Sequence, residues 1–222
     1  KAFLESLGLF ERSPVELAGS AAPLLPSKWD DLTAATVSYG HGIAVTPMAF
    51  ISAFSALANG GERVAPTLIM TEERRPKPER VMSALTAGVI NTMMRYAVVD
   101  GTGRQAEVAG YGVAGKTGTA EKPVAGGYDE DRNITSFASI FPYDRPQYAL
   151  IVTLDEPQMA EEAGAVGGTT AAWNAAPTAG RMIERGAPLL GLAPRVEEAG
   201  PVNVPIRSGP CWRCVIGQSK KI

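Results

Sequence analysis

A single histidine, His41, and two cysteines, Cys211 and Cys214, stand among the 222 residues of this chain, so side chains that favour transition metals are scarce. The cysteines bracket Trp212 and Arg213 as a Cys-x-x-Cys pair, a spacing found in redox sites and in half of a zinc site. Zinc needs about two more ligands, which one distant histidine does not supply. The pair reads as two thiols on a tail, and no metal or other cofactor is expected. Also missing is any run of about 18 apolar residues, so no segment of the sequence reads as a membrane-spanning helix. Neither sign of charge prevails: 21 Lys and Arg face 23 Asp and Glu, a net charge of −2. That balance argues against a general nucleic-acid-binding surface. Lys1 to Ser6 lack the ordered basic, apolar and cleavage regions of a signal peptide. They read as the middle of a helix with Leu4, Leu7 and Phe10 on one face, which suggests a piece of a longer chain.

What is present is ordinary globular composition, 45% hydrophobic and 20% charged, in a length that suits one sizeable domain or most of one. Residues 11–36 look loop-rich, with Pro14, Pro23 and Pro26 as punctuation. Thr46 as N-cap and Pro47 at the first helical position open a helix with Met48, Ile51, Phe54 and Ala58 on its apolar face, and Asn59-Gly60-Gly61 closes it. The spacing of Met82, Leu85, Val89 and Met93, widened by Val81, Ile90 and Met94, predicts a second helix over 79–96 with that stripe in the core. Asp100-Gly101-Thr102-Gly103 reads as a turn rather than a phosphate cradle, because no strand-loop-helix context surrounds it.

After Gly112 the pattern turns to strands, over 113–122, 134–141 and 148–154. The short connection through Pro142, Asp144 and Pro146 makes the last two antiparallel neighbours. The Gly-rich segment 123–133, with Asp129-Glu130-Asp131, reads as a solvated loop. A last helix is expected from Thr169 or Thr170 to Gly186, kinked or interrupted at Pro177. The fold class is α+β, an antiparallel sheet packed with helices over residues 1–195, and 196–222 form a poorly ordered tail.

The chemistry concentrates in Lys116-Thr117-Gly118-Thr119 on the first of these strands. Lys116 is a compact cation and Thr117 and Thr119 are small hydroxyl donors. Strand alternation sends Lys116 and Gly118 to one face and the two threonines to the other, and Gly118 lets a ligand lie close to the backbone. Such an edge suits a carboxylate and a peptide-like amide.

Lys-Thr-Gly-Thr resembles the third signature of penicillin-recognising serine enzymes, whose other parts are Ser-x-x-Lys and Ser-x-Asn or Ser-Asp-Asn. The stretch Tyr39-Gly40-His41-Gly42-Ile43-Ala44-Val45-Thr46-Pro47 and the helix ending Ala58-Asn59-Gly60-Gly61 are similar to stretches that class B penicillin-binding proteins carry ahead of it. Ile134 to Pro142, Ile151 to Pro157, Gly167-Gly168 and Ala175-Ala176-Pro177 resemble the stretches C-terminal to it in that family, in the same order. The resemblance implies a partial transpeptidase domain of serine β-lactamase-like fold, whose parent cross-links peptidoglycan stem peptides by serine acyl transfer and binds β-lactams. It implies that Lys116, Thr117, Gly118 and Thr119 hold the substrate or drug, their carboxylate resting on Lys116 and the two hydroxyls. It further implies that the Thr119 backbone N–H is one oxyanion-hole donor, and that the parent is periplasmic and held to the membrane by an upstream anchor.

One departure is large. None of the serines has a lysine three residues on, and no Ser-x-Asn is present. Thr119-Ala120-Glu121-Lys122 overlaps the binding signature and cannot serve as the nucleophile pair. The expectation is therefore a fragment that is inactive alone, because in the family both motifs lie upstream of the part matched here. The family's five-stranded sheet would then lack two strands, leaving the strand at 148–154 as an edge open to self-association or a companion chain. His41 stands where glutamine is expected and reads as a structural substitution with nothing to pair with. Alternatives are a β-lactamase or carboxypeptidase relative, and a non-catalytic peptide- or partner-binding module of the same fold.

Overall fold

In the computed structural model, which describes residues 1–13, 15–69, 76–124, 127–158 and 168–195, short polar side chains start every α-helix but the first. After α1 (Ala2–Ser6), Asp30 Oδ1 accepts from Thr33 N at 2.9 Å and opens α2 (Asp31–Ser38). Thr46 Oγ1 accepts from Ala49 N at 3.2 Å ahead of α3 (Pro47–Ala58), and Ser83 Oγ accepts from Thr86 N at 3.0 Å ahead of α4 (Ala84–Val99). Each oxygen satisfies a backbone donor that the first helical turn leaves orphaned. A 3-10 turn at Arg104–Ala106 follows α4, and α5 (Ala175–Gly186) is the last helix, with Asn174 Oδ1 accepting from Ala175 N at 2.6 Å.

The Asp30 cap has a pH consequence. The Thr33 backbone N–H, followed by Lys28, holds the Asp30 carboxyl down to about 2. A carboxyl with a depressed native pKa contributes stability above its unfolded value, and that contribution fades as pH falls through the native one. The start of α2 is therefore expected to loosen between about pH 4 and pH 2, read from the Thr33 amide by NMR. Asp30→Asn, which keeps a capping oxygen but has no proton to gain, is expected to show no such step.

Two sheets form. A small one pairs β1 (Glu62–Arg63) with β2 (Glu79–Arg80), tied by Arg63–Glu79 at 3.0 Å and Arg80–Glu62 at 2.7 Å. Gly61 turns into it at φ +92°, where an added Cβ would sit 2.2 Å from the Met82 carbonyl oxygen. The main sheet is antiparallel in the order β3 (Ala114–Val124), β4 (Gly127–Phe141), β5 (Tyr148–Asp155). Opposed residues share a face, so Val113, Phe137 and Val152 lie on one side and Ala114 and Ile140 on the other. The first side packs on the small-residue face of α5, through Ala175, Ala176, Ala179 and Ile183. The second packs on Ala58 of α3 and Met94 of α4, with Phe54, Leu57 and Ile90 half-buried beside them. The result is helix, sheet, helix, the α+β arrangement expected from the sequence. Among the described residues, β5 pairs only with β4.

Several sequence expectations are corrected. Residues 31–38 are helical, because the capped Asp30 start outweighs the β-branched Thr33, Thr36 and Val37. The helix at the N-terminus is one short turn that ends before Gly8, at φ +73°. The helix expected over 79–96 begins only at Ala84, since Glu79 and Arg80 pair with β1. Its buried face is also shifted: of the expected stripe, Met94 is buried and Ile90 half-buried. Leu85, Val89 and Met93 are exposed, whereas Ala87, Asn91, Met94, Arg95 and Val98 are buried. The segment 123–133 is not an open loop, because β3 continues to Val124 and β4 starts at Gly127 as a long hairpin with a bulge at Glu121/Lys122. Pro177 causes no kink: α5 starts at Ala175, which puts the proline in the first turn, where no intrahelical N–H is missed. The tail at 196–222 lies outside the described residues.

Candidate functional site

The site is built on the free edge of β3. Glu156 N donates to Asn133 O at 2.9 Å, so Asn133 and every second residue of β4 after it point their backbone groups toward β5. The intervening residues, Ser136 and Ala138 among them, face β3 and bond Gly118 and Lys116 opposite them. Alternation then turns the N–H and C=O groups of Val113, Gly115, Thr117 and Thr119 away from the sheet. Two side-chain contacts agree: Arg95 Nη1 donates to Val113 O at 2.7 Å, and Lys116 Nζ donates to Thr117 O at 2.8 Å. The Thr119 N–H therefore faces outward.

Arg95 anchors the start of this edge. Its side chain is 9% exposed, it forks onto both carboxylate oxygens of Glu107, and it stacks 5.2 Å from the Tyr143 ring centre. Gly115 fits the next position because a Cβ there would meet Phe137 Cζ at 2.5 Å and Ala138 O at 2.7 Å.

Lys116 lies on the α3/α4 face and is exposed. Besides the Thr117 carbonyl, its ammonium stands 3.5 Å from Thr117 Oγ1. Among the described residues, no carboxylate comes within ion-pairing distance of it. The strand's other lysine, Lys122, is bound to Asp155 and to Glu156, the latter at 2.7 Å, and those two acids, Asp155 first, raise its pKa. Lys116 is thus the cation of this strand without a carboxylate partner among the described residues. Gly118 opens onto space, with nothing within 4 Å of a Cβ built there.

Thr117 and Thr119 lie on the α5 face, as the alternation requires. Thr117 Oγ1 is 2.7 Å from Thr102 Oγ1, and Thr119 Oγ1 accepts from Ala171 N at 3.1 Å. The structure thus brings Lys116 and Thr117 together, whereas the Thr119 hydroxyl accepts from the turn leading to α5 and keeps its own proton to donate. Reading the sequence missed Thr102 and Arg95. Thr102 carried only the signal of a Gly-flanked turn, and Arg95 stood in a helix whose buried face was assigned correctly only in part, at Ile90 and Met94.

His41 is not isolated, as the sequence suggested. Its Nε2 lies 3.4 Å from the Tyr128 hydroxyl and the rings are 5.2 Å apart, joining the 39–47 segment to the β3–β4 hairpin. Among the described residues, no group of three or more His, Cys, Asp or Glu could hold a metal ion, no helix is long and apolar enough to cross a membrane, and no serine is hydrogen-bonded to a lysine. Cys211 and Cys214 lie outside the described residues.

Comparison with known proteins gives the arrangement a setting. The penicillin binding protein transpeptidase domain family matches residues 1–173. The probable peptidoglycan D,D-transpeptidase FtsI of Caulobacter vibrioides is 41% identical over 218 residues, covering 94% of this chain and 37% of that protein. The transpeptidase domain of Burkholderia pseudomallei penicillin-binding protein 3 superposes with a TM-score of 0.76 at 30% identity, over 88% of this chain and 58% of that one. Penicillin-binding protein 3 of Mycobacterium tuberculosis, solved with ampicillin, gives 0.75 at 31% identity, over 91% and 48%. The chain therefore spans little more than a third of that FtsI relative, and about half of each solved structure.

Proposed function

Because this chain belongs to the penicillin-binding protein transpeptidase family, in its class B, we propose that it supplies the substrate-carboxylate edge of a D,D-transpeptidase and not the serine that is acylated. The observation that carries this reading is the free edge of β3, where an exposed Lys116 without a carboxylate partner among the described residues stands beside the outward backbone of Thr117 and Thr119. A peptidoglycan stem peptide, or a β-lactam, would lie along this edge as an added strand. Its carboxylate would meet Lys116 and the Thr117 hydroxyl, and the Thr119 N–H would donate to the carbonyl oxygen under attack. Oxyanion-hole donors of this kind contribute about 2.7–4 kcal/mol each in the transition state. The Thr119 hydroxyl accepts from Ala171 N and keeps its own proton, which it can donate to the same carboxylate.

Acyl transfer needs an activated nucleophile. The sequence has no Ser-x-x-Lys, so the reading assigns that step to a segment beyond the 37% of the FtsI relative that this chain matches. Residues 1–195 form the C-terminal part of the transpeptidase domain in this reading, and the parent acts in the periplasm, held to the membrane by a segment outside the chain. The missing Ser-x-x-Lys also motivates the second reading, a binding module that never acquires a nucleophile.

The test is NMR titration of the chain with amine-blocked D-alanyl-D-alanine and with its C-terminal amide. Shifts at Gly118 and Thr119, larger and tighter for the carboxylate, are expected. Absence of binding, or equal binding of both ligands, overturns the reading. The outer side of β5, unpaired among the described residues, adds a second expectation, that the chain self-associates or takes a companion strand there. Sedimentation showing a monomer at all concentrations would contradict it.

A further inference from the structure

We infer that Thr102 is a positioning residue for this carboxylate site, acting by setting the direction in which the Thr117 hydroxyl proton points. The inference rests on the carboxylate reading of the β3 edge and deepens it.

The two hydroxyl oxygens are 2.7 Å apart, and a hydrogen bond at that distance uses one proton, from one side or the other. If Thr117 donates to Thr102, its only proton is consumed and it has nothing to offer an anion. If Thr102 donates to Thr117, the Thr117 proton is free. The surroundings choose the second arrangement once a carboxylate is bound. The Lys116 ammonium, 2.8 Å from Thr117 O and 3.5 Å from Thr117 Oγ1, draws the anion to this spot. A carboxylate only accepts, so the chain of donors runs Thr102 to Thr117 to the carboxylate, each bond polarising the next.

Thr102 is held for this role by glycines on either side of it. Gly101 and Gly103 press against the end of α4, where a Cβ would meet the Ala97 carbonyl oxygen at 2.7 and 3.2 Å. Gly103 also touches Phe137 and Val98, with 3.1 Å to Phe137 Cε2. Phe137 is fully buried, faces Thr117 across the ladder and underlies Gly115. One rigid side chain therefore sets both the Thr102 turn and the strand that carries Thr117. Thr102 itself is exposed, so no buried polar group of the fold depends on its hydroxyl.

The test compares Thr102→Val, which keeps the shape, with Thr102→Ser, which keeps the hydroxyl, using the same blocked D-alanyl-D-alanine and its C-terminal amide. Thr102→Val is expected to weaken binding of the carboxylate by about threefold, the worth of the orientation and polarisation that the Thr117 donor loses, and to leave the amide unchanged, a difference that sets it apart from general damage to the site. Thr102→Ser is expected to match the parent sequence, with thermal midpoints unchanged in both variants. Equal loss for both ligands, no loss for the carboxylate, or a serine variant that behaves like valine overturns the inference. An unsubstituted chain that binds neither ligand, or both alike, overturns the carboxylate reading beneath it, an outcome visible before any variant is made.

Discussion

Replacing Lys116 by methionine is expected to lower the affinity of this chain for blocked D-alanyl-D-alanine by about 10- to 100-fold and to leave its thermal midpoint nearly unchanged. The size reflects the loss of a hydrogen bond between two charged groups, about 1.5–3 kcal/mol. The unchanged midpoint reflects exposure: the ammonium touches only its neighbour's carbonyl and hydroxyl, and no described carboxylate loses a partner. Methionine keeps the unbranched stem, so packing on the α3/α4 face is preserved. Lys122→Met is the contrasting control, since it breaks pairs with Asp155 and Glu156 far down the hairpin and should leave the carboxylate affinity alone. Isothermal titration of both variants decides between a charge that recognises the ligand and a general effect of net charge.

Arg95→Ala is expected to destabilise the fold by about 3 kcal/mol in urea unfolding. Removing one partner of a buried ion pair costs roughly 3–5 kcal/mol; the lower end applies because the Glu107 side chain remains 38% exposed and keeps part of its hydration. The variant also strips the Val113 carbonyl of its donor and the Tyr143 ring of its cation. Arg95→Lys should recover only part of the loss, because a single ammonium cannot fork onto both oxygens of Glu107 while reaching Val113 O. A loss below about 1 kcal/mol would mean that the strand start is held by its ladder alone.

Helix α3 and strands β3 to β5 could be read from the sequence because their signals are local. The Thr46-Pro47 start, the Asn59-Gly60-Gly61 stop and the alternation from Ala114 onward each lie within a few neighbouring residues. Helix α4 shows where that reading fails. Leu85, Val89 and Met93 make the more obvious apolar stripe, yet the buried face carries Asn91 and Arg95. The Asn91 amide N–H and the Arg95 guanidinium are compatible with burial because Leu57 O, Glu107 and Val113 O receive them, and these partners lie 34, 12 and 18 residues away in the chain. Nothing local reveals such partners. The candidate site divides in the same way. Lys116, Thr117, Gly118 and Thr119 stand together in one motif, whereas Thr102 reaches Thr117 only because Phe137 packs under both the turn and the strand.

The central claim is that this chain carries the recognition edge without the nucleophile. Intact-mass spectrometry after incubation with a fluorescent penicillin tests it most directly. An unmodified mass is expected, with the drug bound reversibly at the β3 edge and displaced by blocked D-alanyl-D-alanine. A stoichiometric covalent adduct on any serine of the chain would contradict it.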